Sequence, residues 1–357
     1  MRRLLLFLTV PAWAQIPFEP GYQYHFRDIG VVNASEQEPI TAFSMAKALD
    51  YLDKGALVWT RQRTCISCHT SGTYLIVRSR LAGRFGPPSA EVAEKFRAEV
   101  GKRENERDDW FRRGANSEQV IYTAAGLAEY DAAVRRELSP ETDRALRLMF
   151  RAQLEDGGWT SESCWPPLES SKYHAATIAA RAVGVAPGWL KKARGDAALS
   201  VKIGRLMDYL RRGAPHDYDR VSLLWSAAEM PGLISAREKK SLAGMVFRHQ
   251  RPDGGWSLRT FAAPEAWGDG SRAERIRSEP DFANPPSDGH MTGLALVALR
   301  SAGVPAKDPR VRRGIDWLKR NQRESGRWWT RSLNTDTWNF ITYSGTAYPV
   351  LALAMCD

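Results

Sequence analysis

Polar and apolar positions along the chain fall into two kinds of helix-length stretch. In the first kind, apolar residues repeat on one face only. Leu146, Met149, Phe150 and Gln153 follow i, i+3, i+4, i+7 spacing, with charged residues between them. In the second kind, charge almost vanishes, as in AATIAARAVG after His174 and MTGLALVALRSAG from Met291. Helices apolar on most sides are buried on most sides. The alternation predicts six outer amphipathic helices, near 41–62, 89–105, 139–153, 197–213, 236–250 and 308–322. Their inner apolar partners lie near 72–83, 119–132, 174–185, 219–230, 290–302 and 343–355. The second outer helix is drawn through a highly charged stretch, Glu91 to Arg107. A segment rich in Pro, Gly, Asp and Arg, 259–286, interrupts the fifth pair as a long inserted loop.

Three outer helices end on the same words. Gln153 to Trp159, Gln250 to Trp256 and Gln322 to Trp328 all read Q-x-x-x-G-x-W, where Gly breaks the helix. These copies resemble the QW repeats of the squalene–hopene and oxidosqualene cyclases. The resemblance is clearest from about Leu138 onward and closest to the C-terminal domain of those enzymes. It implies an all-α fold, an α/α toroid of about six inner and six outer helices shared with protein prenyltransferases. It also implies a structural role for each Gln–Trp pair: the Gln ties a helix end to its neighbour and the Trp stacks on it. Replacing a QW tryptophan is then expected to affect stability and not ligand choice.

The chain has 357 residues, 43% hydrophobic and 26% charged, which excludes a disordered or fibrous protein. The net charge of +10 is scattered along the chain. Nucleic acid is therefore not an expected partner, whereas peripheral contact with an anionic membrane surface is. Arg2 and Arg3, the apolar run Leu4–Val10 and Ala12-Trp13-Ala14 read as a signal peptide over 1–14. The expected location is periplasmic or secreted. Residues 15–40 form an N-terminal arm, and 41–357 the toroid domain.

Thr64-Cys65-Ile66-Ser67-Cys68-His69 contains C-x-x-C-H, the c-type haem attachment pattern. Two thiols bond the porphyrin and the adjacent His69 reaches the iron as proximal ligand. Three alternatives stand beside it: a Cys65–Cys68 disulfide with no cofactor, a zinc site completed by His69 and a distant ligand, and simple buried thiols. The segment lies where an inner helix starts, so candidate distal ligands are His174, His290 and Met291 at other inner-helix starts. His216 and His249 read as surface residues. Cys164 and Cys356 read as core thiols or a long-range bridge.

The cyclase resemblance implies a second chemistry. Those enzymes protonate their substrate with an Asp of a D-x-D-D stretch at the start of an inner helix. Asp217-Tyr218-Asp219-Arg220 occupies the matching place, with Arg where the last Asp would stand. A cation beside Asp219 would hold it ionised, and Asp219 also reads as a helix N-cap. The reading drawn from the sequence is an extracytoplasmic toroid with one covalent haem, serving redox, sensing or oxidation chemistry on an apolar ligand or with a redox partner protein. Haem oxidoreduction ranks ahead of cyclisation. The alternatives are a terpenoid-cyclase-like isomerase with Asp219 as acid, and a non-catalytic lipid- or peptide-binding toroid.

Overall fold

Charged and uncharged helices separate into two concentric rings. The computed structural model describes residues 21–161, 166–168 and 171–356. Among these, twelve helices have eight residues or more. The outer six are α1 (Met45–Gln62), α3 (Ala90–Arg103), α5 (Pro140–Arg151), α7 (Ala197–Arg211), α9 (Ala236–Arg248) and α11 (Pro309–Arg320). The inner six are α2 (Thr73–Arg80), α4 (Asn116–Tyr130), α6 (Lys172–Val185), α8 (Asp217–Ala227), α10 (Gly289–Ser301) and α12 (Ile341–Ala354). Inner helices pack in the order α2–α4–α6–α8–α10–α12, and α12 returns to α2. The fold is an all-α, closed α/α toroid.

Burial follows the two patterns. Helix α10 is buried at every position from Gly289 to Leu299. Helix α9 buries only Ala243, Met245 and Val246 and turns its charged face outward. The outer helices start at marked residues. Ser139 caps α5 with Pro140 behind it, Asp308 caps α11 ahead of Pro309, and Ser235 with Glu238 forms a capping box on α9. The charged stretch from Glu91 does form a helix, α3, because Val92, Ala93, Phe96 and Val100 give it a buried stripe. Its buried Glu99 is satisfied by Lys102 and Arg103. The arm carries a hairpin, β1 (Tyr22–Phe26) antiparallel to β2 (Ile29–Val32), packed on α1.

The repeated words form joints between consecutive outer helices. Each Gln amide donates to the Gly carbonyl four residues on, at 3.1, 2.8 and 2.9 Å for Gln153, Gln250 and Gln322. The same amide also donates to the next outer helix: to Lys202, Arg310 and Ser44 carbonyls. Each Trp is fully buried and donates its Nε1 proton back to its own helix, at Met149, Val246 and Leu318. The third joint closes the ring, since Gln322 also accepts from the Ser44 backbone N–H at 2.6 Å.

The central Gly of each word is doubly constrained. Gly157, Gly254 and Gly326 have φ of 93°, 96° and 90°. A Cβ at Gly326 would lie 2.5 Å from the Lys47 backbone of α1. Left-handed backbone and close approach both exclude a side chain. Gly326→Ala is therefore expected to destabilise the protein by more than about 1 kcal/mol, measured by urea unfolding. An unchanged midpoint would show that the joint does not hold the ring.

Candidate active site at the inner-helix starts

All six inner helices run the same way, so their first turns gather at one end of the barrel. Helix α8 begins there with His216 as its N-cap, whose Nδ1 accepts from the Asp219 backbone N–H at 3.3 Å. The expectation that Asp219 itself caps the helix is corrected: it sits one turn in, with no exposure at all. Arg220 does not face it. Arg220 and His249 both pair with Asp217 and hold that carboxyl below the usual range against its partial burial. The helical spacing explains this, because residues 217 and 220 share the outward face while Asp219 turns inward.

Burial pushes the Asp219 carboxyl up to about 7, with Ser171 pulling weakly the other way through an O–H donated to Oδ2 at 2.9 Å. Desolvation outweighs that single hydrogen bond. Oδ1 is buried and has no hydrogen-bond partner. His216, expected at the surface, is 8% exposed, and its Nε2 stands 3.4 Å from Asp219 Oδ2. Burial lowers the His216 pKa to about 4, so the ring is neutral at pH 7. With Nδ1 accepting, its proton is on Nε2, facing the carboxyl.

The inserted loop supplies the cover. Trp267, 1% exposed, lies with its ring 5.3 Å from His216 and 5.5 Å from Tyr218. The Tyr218 backbone N–H donates to Phe261, which ties α8 to the start of that loop. Behind Tyr218 the barrel axis is filled by hydroxyls and imidazoles. Tyr218 meets His290 Nε2 at 3.1 Å and Ser344 meets His290 Nδ1 at 2.9 Å. His174 bonds Tyr122 through Nε2 at 3.3 Å and Ser222 through Nδ1 at 3.4 Å. Burial lowers both histidines to about 3. His174 and His290 both pack on the Tyr218 ring, at 5.8 and 5.9 Å between centroids, while Met291 is fully buried. At the opposite end, buried Arg181 and half-buried Arg80 share Glu129, and Arg80 also pairs with Glu229. Cations there suit the C-terminal ends of the inner helices.

The C-x-x-C-H segment makes the turn into α2. Cys65 is half-buried and Cys68 buried, and they are not joined in a disulfide. The Ser67 hydroxyl accepts from the Thr70 and Ser71 backbone N–H groups and fixes that turn. His69 lies between Trp59 and Phe340, with ring centroids at 4.8 and 4.9 Å, and burial lowers its pKa to about 3. Its Nδ1 bonds the Thr70 hydroxyl at 2.8 Å, which also meets the Tyr24 hydroxyl. The zinc alternative finds no ligand set: no group of three or more His, Cys, Asp or Glu among the described residues could hold a metal ion. Residues 1–14, Cys164 and Trp165 lie outside the described residues, and no helix among those described is long and apolar enough to cross a membrane.

Sequence reasoning missed Ser171 and His216 as neighbours of Asp219, and Trp267 as the cover on His216. Their signal, a Ser cap one inner helix away and a Trp in a long polar loop, is legible only once the ring is closed.

The squalene-hopene cyclase C-terminal domain model matches residues 235–356. No curated protein sequence matches the chain. Among solved structures, ent-copalyl diphosphate synthase from Streptomyces platensis is similar at a TM-score of 0.53 and 14% identity, over 80% of this chain and 50% of that one. The chain thus spans half the length of that synthase. A glycosidase variant in complex with glucose is similar at a TM-score of 0.56 and 13% identity, over 88% of this chain and 98% of that one. At these identities the likeness is one of fold.

Proposed function

We propose that the protein is a terpenoid-cyclase-like isomerase or cyclase that protonates an apolar alkene with Asp219. The observation that carries this is the fully buried Asp219 carboxyl, with Oδ1 unbonded and the neutral His216 ring, itself covered by Trp267, 3.4 Å from Oδ2. Ser171 occupies Oδ2 as a donor, so the acid proton belongs on Oδ1. Protonation of an alkene carbon forms a C–H bond and leaves a carbocation. The ring faces of Trp267 and Tyr218 suit that charge. The carboxylate left behind keeps the Ser171 hydroxyl and gains the His216 Nε2–H; it takes a proton back when the product forms a new alkene. Trp267 covers the pair, so entry requires the inserted loop to lift.

The direct test is squalene incubated with the protein in heavy water. Deuterium is expected in a cyclised or isomerised product from the wild type and not from Asp219→Asn. Equal incorporation by the variant would overturn the reading.

A second reading concerns Cys65, Cys68 and His69. The donor set fits a c-type haem: two reduced thiols in one turn and an imidazole that is neutral across the physiological range. When the Thr70 hydroxyl donates to Tyr24, it accepts from His69 Nδ1–H and the Nε2 lone pair is left for a metal, the tautomer ligation needs. The group would supply one-electron chemistry. His174 and His290 engage both ring nitrogens with hydroxyls, so neither offers a second axial nitrogen as it stands. This reading places the protein outside the cytoplasm, on the strength of residues 1–14, with a redox protein as partner. Protein made in a haem-competent periplasm is expected to gain the mass of one haem, lost in Cys65→Ala/Cys68→Ala. An unmodified wild-type mass would remove this reading and leave the Asp219 chemistry untouched.

A further inference from the structure

A groove of about 410 Å³ opens beside the barrel, apart from Asp219. That volume lies in the range of small-molecule sites, about 300–1,000 Å³. Three segments distant in sequence build it: the arm at 34–37, the inserted loop at 275–280, and the loop ahead of α12 around Trp329 to Asn339.

Its charged side chains are held before any ligand arrives. Arg331 bridges Glu36 of the arm at 2.7 Å and Asp281 of the inserted loop at 3.2 Å. Arg275 pairs with Asp336 and stands 3.6 Å from Glu279. Arg259 grips Glu279 from behind, both side chains 6% exposed, and donates to the Arg331 and Ser332 carbonyls. Glu36, Asp281, Glu279 and Asp336 are thus each paired with Arg331, Arg259 or Arg275. A groove whose charges are already paired does not favour an anion or a cation, because either must displace a partner already in place. What remains available is neutral hydrogen bonding at fixed positions. The Arg275 Nε is buried and has no partner, so one donor lacks an acceptor. Gln37 and Asn339 add amides, and Trp329 adds a half-buried indole.

We propose that this groove binds a neutral saccharide. A sugar hydroxyl both donates and accepts, which suits alternating carboxylate oxygens, amides and guanidinium N–H groups. Its C–H face suits the indole of Trp329, whereas a wholly apolar terpenoid would offer the Arg275 Nε and the amides no hydrogen bond. The site is independent of the acid chemistry at Asp219.

The test is saturation-transfer NMR on the full mature chain with cellobiose, maltose and diacetylchitobiose. At least one sugar is expected to receive saturation, with a loss of tenfold or more in affinity in Trp329→Ala. Gln37→Leu, at an exposed position, should weaken binding without disturbing the fold, and Asp219→Asn should leave it unchanged. Absence of transfer to all three sugars, transfer undiminished in both groove variants, or displacement of the sugar by inorganic phosphate would each overturn the proposal.

Discussion

Asp219→Asn is expected to remove activity while making the protein more stable above pH 7. The sign follows from the carboxyl's shift from an ordinary 3.8 to about 7 in the folded state. Below pH 3.8 both states hold the proton, and burial of Asp219 carries no ionisation penalty. Between 3.8 and 7 the unfolded chain ionises first, so native stability falls as pH rises. Above 7 the penalty is complete, at about 4 kcal/mol for a shift near three pKa units. Asparagine has no such charge to bury. The variant is expected to gain up to that amount in urea unfolding at pH 8 and nothing at pH 3, and to lose 10²- to 10⁴-fold in turnover, the usual worth of a general acid. A purely structural Asp219 would give the opposite pattern, with stability lost in the variant at every pH.

The second large effect belongs to the ring closure. Trp328 is fully buried, donates to the Leu318 carbonyl at 2.7 Å and packs near Phe43 just ahead of α1. Its neighbour Gln322 ties the last outer helix to the first. Trp328→Ala removes a large ring from a site where the helices on both sides are held by the rest of the barrel, so the cavity cannot collapse. A loss of about 3–5 kcal/mol is expected, measured by denaturant unfolding. A loss below about 1 kcal/mol would show that the joint is not what closes the toroid.

The architecture was legible because it depends on periodicity. A helix with one apolar stripe must face a neighbour, and a helix with none must be surrounded, so the two patterns assign the two rings. The Q-x-x-x-G-x-W joints were legible because each uses the same bonds at a fixed spacing. The site was legible only in part. Asp219 was found through the resemblance to the cyclases' D-x-D-D stretch at an inner-helix start, but its proton affinity was misjudged from Arg220, its neighbour in sequence. In a helix the side chain next along points about 100° away, and Arg220 pairs with Asp217 instead. His216 was assigned to the surface because its chain neighbours are polar. Its burial comes from Trp267, fifty-one positions downstream, folding over it from a loop whose composition gives no hint of where it lands. The pairings of Arg331 with Glu36 and Arg275 with Asp336 are of the same kind, set by three loops meeting across the ring.

The central claim is that Asp219 holds its proton near neutral pH. Site-resolved ¹³C NMR titration of the aspartate carboxyls, with Asp219→Asn used to assign the resonance, measures this directly. A midpoint near 7 is the predicted result; a midpoint near 4, the value of a solvated aspartate, would contradict it.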